Sequence, residues 1–297
     1  MNPAMEDLSP HSPFLSTLLS GGRSPAERDP RWPRVTIVIP SFNQGRYLEQ
    51  TILSVLNQDY PNLELIIMDG GSTDNSVAII LKYEQHLAHW KSQPDEGQAA
   101  AIADGFRMAS GDVLAYLNSD DLYLPGTLRS VGEFFRAASG ADLFYGDCLV
   151  ISDDNCIIRR IYPIDFDLDT FLYDHVIIQQ QAAFWSRDLY SKVGEMDRTL
   201  RFCMDYELLL RFALSGARFT RTERILAAFR SHPESKTSRQ RAIHDEEYFR
   251  IFQRAKGRPL GRRDIPTIAF HRLKRYWREP RGLFESIKSR FSHLRSA

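Results

Sequence analysis

Two adjacent carboxylates, Asp120 and Asp121, follow the apolar run Asp112-Val-Leu-Ala-Tyr-Leu117 after a short Asn118-Ser119 step. Side chains alternate across a strand, so neighbouring carboxylates converge only where the strand turns. Such a pair suits Mg²⁺ or Mn²⁺, which favour oxygen ligands and substrate phosphates. The same two residues also make a solvated turn or a helix N-cap before Leu122, and taken alone they favour that plainer reading. Two further apolar runs end in polar loops: Val35-Thr-Ile-Val-Ile39 in Pro40-Ser41-Phe42-Asn43, and Leu63-Glu-Leu-Ile-Ile-Met68 in Asp69-Gly-Gly-Ser-Thr-Asp74. The glycine-rich dinucleotide loop and the Gly-Lys-Ser/Thr phosphate loop are both missing after the first run, which weakens a dehydrogenase or a P-loop ATPase.

These loops need elements that hold them together. The continuous, β-branched runs read as buried parallel strands. Between them Leu48, Ile52, Val55 and Leu56 recur at helical spacing, as do Val77, Ile80 and Leu81. A weaker strand near His89 to Ser92 leads to an Ala-rich helix from about Gln98 to Ala109. Strand–helix alternation over some 90 residues predicts an α/β fold, a mostly parallel sheet flanked by helices, with ligands beyond the carboxyl ends of the strands. After Gly140 the pattern changes: Leu143 to Arg160 reads as a hairpin turning at Ser152-Asp-Asp-Asn155, with helices near Arg187 to Val193 and Asp205 to Leu214.

The 297 residues carry 38 basic and 38 acidic side chains, a formal net charge of zero. The sum hides an asymmetry: Arg254 to Ala297 holds 13 Lys/Arg against 3 Asp/Glu, a net of +10, so the rest carries −10. Residues 1–33, rich in Pro, Ser and Arg, read as a flexible leader; 34–238 form the folded unit, divided at 124; 239–297 form a basic helical extension. Three cysteines make neither a disulfide framework nor a zinc spacing. No run reaches the length that spans a bilayer, and a reducing, cytoplasmic setting is expected.

Taken together, Val-Thr-Ile-Val-Ile-Pro-Ser-Phe-Asn, Ile-Met-Asp-Gly-Gly-Ser-Thr-Asp and Gly-Asp-Val-Leu-Ala-Tyr-Leu-Asn-Ser-Asp-Asp resemble the family 2 glycosyltransferases over roughly Arg34 to Lys236. The resemblance implies a GT-A fold and an inverting transfer from a nucleotide sugar, a UDP-sugar being favoured. Asp121 would be the principal ligand of a divalent metal, Mn²⁺ or Mg²⁺, with Asp120 near the metal or the donor ribose. Asp69 would accept a hydrogen bond from the base, and Pro40, Ser41, Phe42 and Asn43 would line the nucleotide pocket with Gln98 and Ser119. Many relatives carry a second acid where this chain has Gly70, so recognition of the base departs from the pattern.

Phe202-Cys-Met-Asp-Tyr-Glu-Leu208 is similar to the family's acid-bearing segment, with Asp205 at the base position. An attacking acceptor hydroxyl must lose its proton, and a carboxylate in reach can take it. Asp205 alone could equally be a helix N-cap. Glu207 lies about 200° around the helix and is assigned to the helix surface or acceptor side. Arg230-Ser-His-Pro-Glu-Ser-Lys-Thr237 resembles a late segment that closes over the donor, which would make His232 a third metal ligand and Lys236 a partner of the diphosphate; an ordinary surface loop is the even alternative. Gln179-Gln-Gln181 and Trp185 are expected at the acceptor cleft, although Trp185 could equally be core.

Two rival readings are a nucleotidyltransferase, which lacks its basic loop here, and an inactive sugar-nucleotide-binding module, against which the two acid sites together argue. The acceptor would be a glycan or a lipid-linked species, as in polysaccharide, glycolipid or cell-surface glycan synthesis. The basic extension, with Lys274, Arg275, Trp277, Leu283, Phe284, Ile287 and Phe291, suits an anionic leaflet at the inner face of the plasma membrane, or docking on the acidic body. Nucleic acid is not expected, because no reading motif accompanies the charge.

Overall fold

The computed structural model describes residues 29–282 apart from 138–139, 141, 175–177 and 234–240. Most of the leader, Lys236, and the apolar residues from Leu283 onward lie outside the described residues. Trp32, placed in the leader from the sequence, instead packs edge-on against Tyr60 with ring centroids 5.8 Å apart.

Four strands, β1 (Val35–Ser41), β2 (Leu63–Asp69), β3 (His89–Ser92) and β4 (Val113–Tyr116), pair in parallel in the order β3-β2-β1-β4. Every residue of β1 is buried because helices cover both faces of the sheet. Ile37 and Ile39 point into one core with Leu48, Ile52 and Val55 of α1 (Gly45–Leu56) and Ile79 and Ile80 of α2 (Ser76–Lys82). Val38 points the other way, toward Ile102 and Phe106 of α3 (Gln98–Met108). At Gly105 that helix presses onto the strand: a Cβ there would stand 2.5 Å from Val38 Cγ1, so only glycine permits the approach. Register then does the assembling. Ser41 pairs with Asp69 and Asp69 with Ser92, so three strand ends lie in one row.

The second half joins the same sheet with mixed directions. β5 (Leu122–Tyr123) and α4 (Thr127–Ala137) lead to the hairpin of β6 (Leu143–Ile151) and β7 (Ile157–Ile161), close to where the turn residues put it. After α5 (Leu168–Tyr173), β8 (Ala183–Ser186) runs antiparallel to both β4 and β6, and α6 (Arg187–Val193) and α7 (Met204–Leu214) follow. β9 (Phe219–Arg230) lies parallel to β6 and antiparallel to β5. The sheet is thus parallel in its first half and mixed in its second. Two helices complete the described chain, α8 (Arg241–Lys256) and α9 (Ile265–Arg278). No helix among the described residues is long and apolar enough to cross a membrane.

Candidate active site

The loop after β2 is shaped by Asp69. Its fully buried carboxylate accepts from Gly71 N at 3.1 Å, Ser72 N at 2.8 Å, Ser72 Oγ at 2.5 Å and Ser92 Oγ at 2.7 Å. Three donors on Oδ2 and one on Oδ1 make Asp69 the organiser of the loop. The missing acid at Gly70 has a neighbour that sequence reading overlooked: a Cβ built there would stand 3.0 Å from Asp95 Oδ2, so the exposed Asp95 carboxylate occupies that space. Asn43, in the left-handed region at φ 52°, receives Thr73 N on its Oδ1 at 2.8 Å and closes the row. Ser41 Oγ is buried without a hydrogen-bond partner among the described residues, and Phe42 beside it is 60% exposed.

The acid pair divides into an open and a closed member. Asp121 is fully buried; its Oδ1 accepts Arg230 N at 2.9 Å and its Oδ2 accepts Asn118 Nδ2 at 3.3 Å. Burial, and then the charge of Asp120, raise its pKa well above the carboxylate range. Asp120 stays partly exposed, its Oδ2 3.0 Å from His232 Nε2. Asp120, and not Asp121, stands open beside His232. Gln98 donates to Asn118 Oδ1 at 2.6 Å, and Ser119 accepts Thr51 Oγ1 on its carbonyl at 2.9 Å, which ties both to the turn that carries the pair.

Arg230 pins this arrangement, a role its sequence context did not disclose. The side chain is fully buried at the end of β9, and Nε donates to Asp120 O at 2.9 Å, Nη1 to Asn155 Oδ1 at 2.7 Å and Nη2 to Gln50 Oε1 at 3.0 Å. Its guanidinium lies 4.9 Å from the Tyr47 ring centroid, and that ring in turn lies 4.9 Å from His232. Burial and a hydrogen bond to Asp153 push the Tyr47 hydroxyl up to about 12.

A metal fits here in part. Among the described residues no three His, Cys, Asp or Glu side chains converge as a cage. The carboxylate of Asp120 and the imidazole of His232 form a two-donor set of suitable chemistry, and two adjacent carboxyls, one pushed toward neutrality by burial and then by the other's charge, match a cation. Such a set needs further ligands from elsewhere, which diphosphate oxygens can supply.

Asp205 lies in the first turn of α7, but Cys203 holds the N-cap position, so capping is not its task. Its Oδ1 accepts Tyr206 N at 2.8 Å, and it lines a cleft of about 490 Å³ with Phe171, Phe202, Tyr206, His244 and Tyr248. Burial raises its pKa, while the Tyr206 N–H and the charge of His244 oppose the rise. The start of α7 is held from afar: Glu247 of α8 accepts Arg201 N, Phe202 N and Cys203 N at 2.7, 2.9 and 2.8 Å. Tyr116, the last residue of β4, links the two acid sites. Burial first, then the charges of Asp205 and Asp121, hold its hydroxyl well above the ordinary range. Both carboxylates are thus within electrostatic reach of one residue, at the end of the central strand.

Two expectations for the acceptor side are overturned. Trp185 is 1% exposed and sits in the core among Phe106, Tyr116 and Phe212, because β8 pairs with β4 and β6 on both edges. Glu207 is buried and paired with Arg211 at 2.9 Å, whose Nη atoms donate to the carbonyls of Val193, Gly194 and Glu195; the pair anchors α7 to the preceding loop. Gln180 is likewise internal, donating to Tyr116 O at 2.5 Å.

Comparison with known proteins agrees with the three motifs. Residues 36–205, more than half the chain, match the model of glycosyl transferase family 2, and the chain belongs to that family. An uncharacterized glycosyltransferase of Mycobacterium tuberculosis is 34% identical over 187 residues, 61% of this chain and 70% of the relative. A PGL/p-HBAD biosynthesis glycosyltransferase of Mycobacterium bovis is 30% identical over 200 residues, covering 66% of this chain and 76% of the relative. Among solved structures, the mannosyltransferase PcManGT from Pyrobaculum calidifontis, in complex with GDP-Man and Mn²⁺, superposes with a TM-score of 0.60 at 18% identity, covering 91% of this chain and 79% of that one. TarS of S. aureus in complex with UDP-GlcNAc gives 0.62 at 16% identity, covering 82% and 72%. The fold is that of the GT-A glycosyltransferases, and the protein is a glycosyltransferase.

Proposed function

We propose that this protein is a metal-dependent inverting glycosyltransferase that moves a sugar from a nucleoside-diphosphate donor to a hydroxyl of a glycan or lipid-linked acceptor. The observation that carries the reading is the end of β4: Tyr116 lines one small space with Asp205, and the turn that follows the strand carries Asp120, 3.0 Å from His232 Nε2. The neighbours' complexes with UDP-GlcNAc and with GDP-Man and Mn²⁺ support a nucleotide-sugar donor and a divalent ion.

Pro40 to Asn43 form the donor lip, where Phe42 offers a flat apolar face to a base and Ser41 Oγ an unspent hydroxyl. Asp95, standing where Gly70 leaves room, takes the base-facing role first expected of Asp69; a uracil N–H is the favoured partner. Asp120 and His232 would hold Mn²⁺ or Mg²⁺, with Asp121 and Arg230 fixing their backbone and Lys236 following on the same segment. When bound, the ion neutralises charge on the departing diphosphate.

Asp205 accepts the proton of the attacking hydroxyl. Its raised pKa brings it nearer to the range of an effective base, and the opposite-face geometry of inversion requires it to act from the acceptor cleft. The aromatic lining of that cleft suits the face of a sugar or an apolar aglycone. A lipid-linked acceptor would be met at the inner face of a membrane, with the protein peripheral to it.

Incubation of the protein with a panel of nucleotide sugars and Mn²⁺ tests the class. Slow release of a nucleoside diphosphate from one donor, lost on chelation, is expected. Release of pyrophosphate from a sugar phosphate and a nucleoside triphosphate would mark a nucleotidyltransferase, and binding without release would mark an inactive module.

A further inference from the structure

The basic extension uses its two sides differently. One side of α9 docks on the body: Lys274 meets Asp167 at 2.9 Å, Arg275 meets Asp174 at 2.7 Å, and the buried His271 lies 2.9 Å from Thr170 Oγ1 and stacks on Tyr173. Those partners all belong to α5 or its ends. The opposite side is bare. At 100° per residue, Ile265, Ala269, Phe270, Leu273, Tyr276 and Trp277 fall within roughly 140° of one face. Ile265 and Phe270 are 60% and 61% exposed, Leu273 is 68% and Trp277 is 84%. Arg272 stands at one edge of this arc, Arg262 and Arg263 precede it and Arg278 ends the helix; all four are exposed, and none makes an ion pair among the described residues.

We propose that this face of α9 is a membrane-docking surface that lies on an anionic lipid leaflet. An apolar arc carrying a tryptophan and framed by unpaired arginines matches an interfacial helix, whose rings enter the headgroup boundary while the cations meet lipid phosphates. A second copy of the chain fits it poorly. A twofold contact through this face would set each arginine frame against itself, a like-charge juxtaposition with no acid in the patch to relieve it. The placement also has a use. Phe171 of α5 lines the cleft beside Asp205, while Thr170 and Tyr173 of the same short helix hold α9, so a single helix separates the proposed docking face from the acceptor cleft. The benefit to a lipid-linked acceptor rests on the transferase reading; attachment itself does not.

Co-sedimentation of the full-length protein with phosphatidylglycerol-containing vesicles and with pure phosphatidylcholine vesicles tests it. Recovery with the anionic vesicles only, falling as salt is raised, is expected. The variant L273S/W277S, altered at two exposed positions, should partition at least roughly tenfold less while keeping its melting temperature and its lipid-free release of nucleoside diphosphate. Arg272→Glu with Arg278→Glu should weaken anionic binding in the same direction. Asp205→Asn should sediment as the parent does, so loss of catalysis and loss of docking are separable. Equal partitioning of L273S/W277S and parent would overturn the proposal. So would no recovery with either vesicle, or a parent dimer in solution that L273S/W277S converts to monomer.

Discussion

The proposed donor site and the proposed acceptor site hold their carboxylates by different means. Asp69 ends β2, and Asp120 and Asp121 stand on the turn after β4, two strands of the parallel sheet separated by β1; backbone N–H groups orient Asp69 and Asp121. Asp205 stands on a helix whose start is held by Glu247, 42 residues further along the chain, through three backbone hydrogen bonds. The proposed donor site is therefore built by strand ends and the Arg230 that pins them, and the proposed acceptor site by packing of the C-terminal helices. A substrate diphosphate needs a preset charge pattern, whereas acceptors differ, and a site resting on helices can change with them without disturbing the strands.

That contrast can be broken by mutation. The largest effect is expected at Asp205: replacement by Asn should lower kcat by about 10²–10⁴-fold, the usual contribution of a general base, in single-donor turnover assays. Wild-type turnover in that variant would remove the base role. Next comes His232→Ala, expected to weaken metal-dependent donor affinity by about 10–100-fold with little effect on the melting temperature, read by calorimetry with and without Mn²⁺. An unchanged metal dependence would leave His232 outside the site. Glu247→Ala should cost about 2 kcal/mol of stability in urea unfolding, because three N–H groups at the start of α7 lose their acceptor. Its donor affinity should stay at the parent level; a matching loss there would mean the two halves are not built independently.

The smallest effect is in the pH profile. Burial raises the pKa of Asp205, and the base must be ionised to act. Turnover should fall as pH drops through an apparent pKa above the ordinary carboxylate value of about 4, while Asp205→Asn loses that limb. A profile flat down to the ordinary range would contradict the environment described for this acid.

The two halves also differ in what their sequence discloses. β1 to β4 are legible because a sheet covered on both faces needs uninterrupted apolar strands, and Val35–Ile39 and Leu63–Met68 are such runs. β9 is hidden by Thr220, Arg221, Thr222, Glu223 and Arg224, polar residues at the sheet's rim that carry no alternation, so its buried end with Arg230 went unread as a strand. The acid pair was readable as a pair, but which member stays open depends on the backbone N–H of Arg230, 109 residues away. Trp185 could not be sorted by type, since an aromatic under a sugar and one in a core look alike until β8 is seen between two strands. Glu247 gave no signal at all: a carboxylate in a charged helix looks solvated until its three partners appear.

The extension shows the same limit. Its charge asymmetry was plain in the sequence, yet Lys256, Lys274 and Arg275 proved to be ties to the body, whereas Arg262, Arg263, Arg272 and Arg278 are exposed.

The most direct test of the central claim is a calorimetric titration of nucleoside diphosphate, in the presence of Mn²⁺, into the parent, Asp120→Asn and Asp205→Asn. The account predicts parent-like affinity for Asp205→Asn and a loss of about 10–100-fold for Asp120→Asn. Parent-like binding by Asp120→Asn, or an equal loss in both variants, would contradict the assignment of donor binding to one acid site and proton transfer to the other.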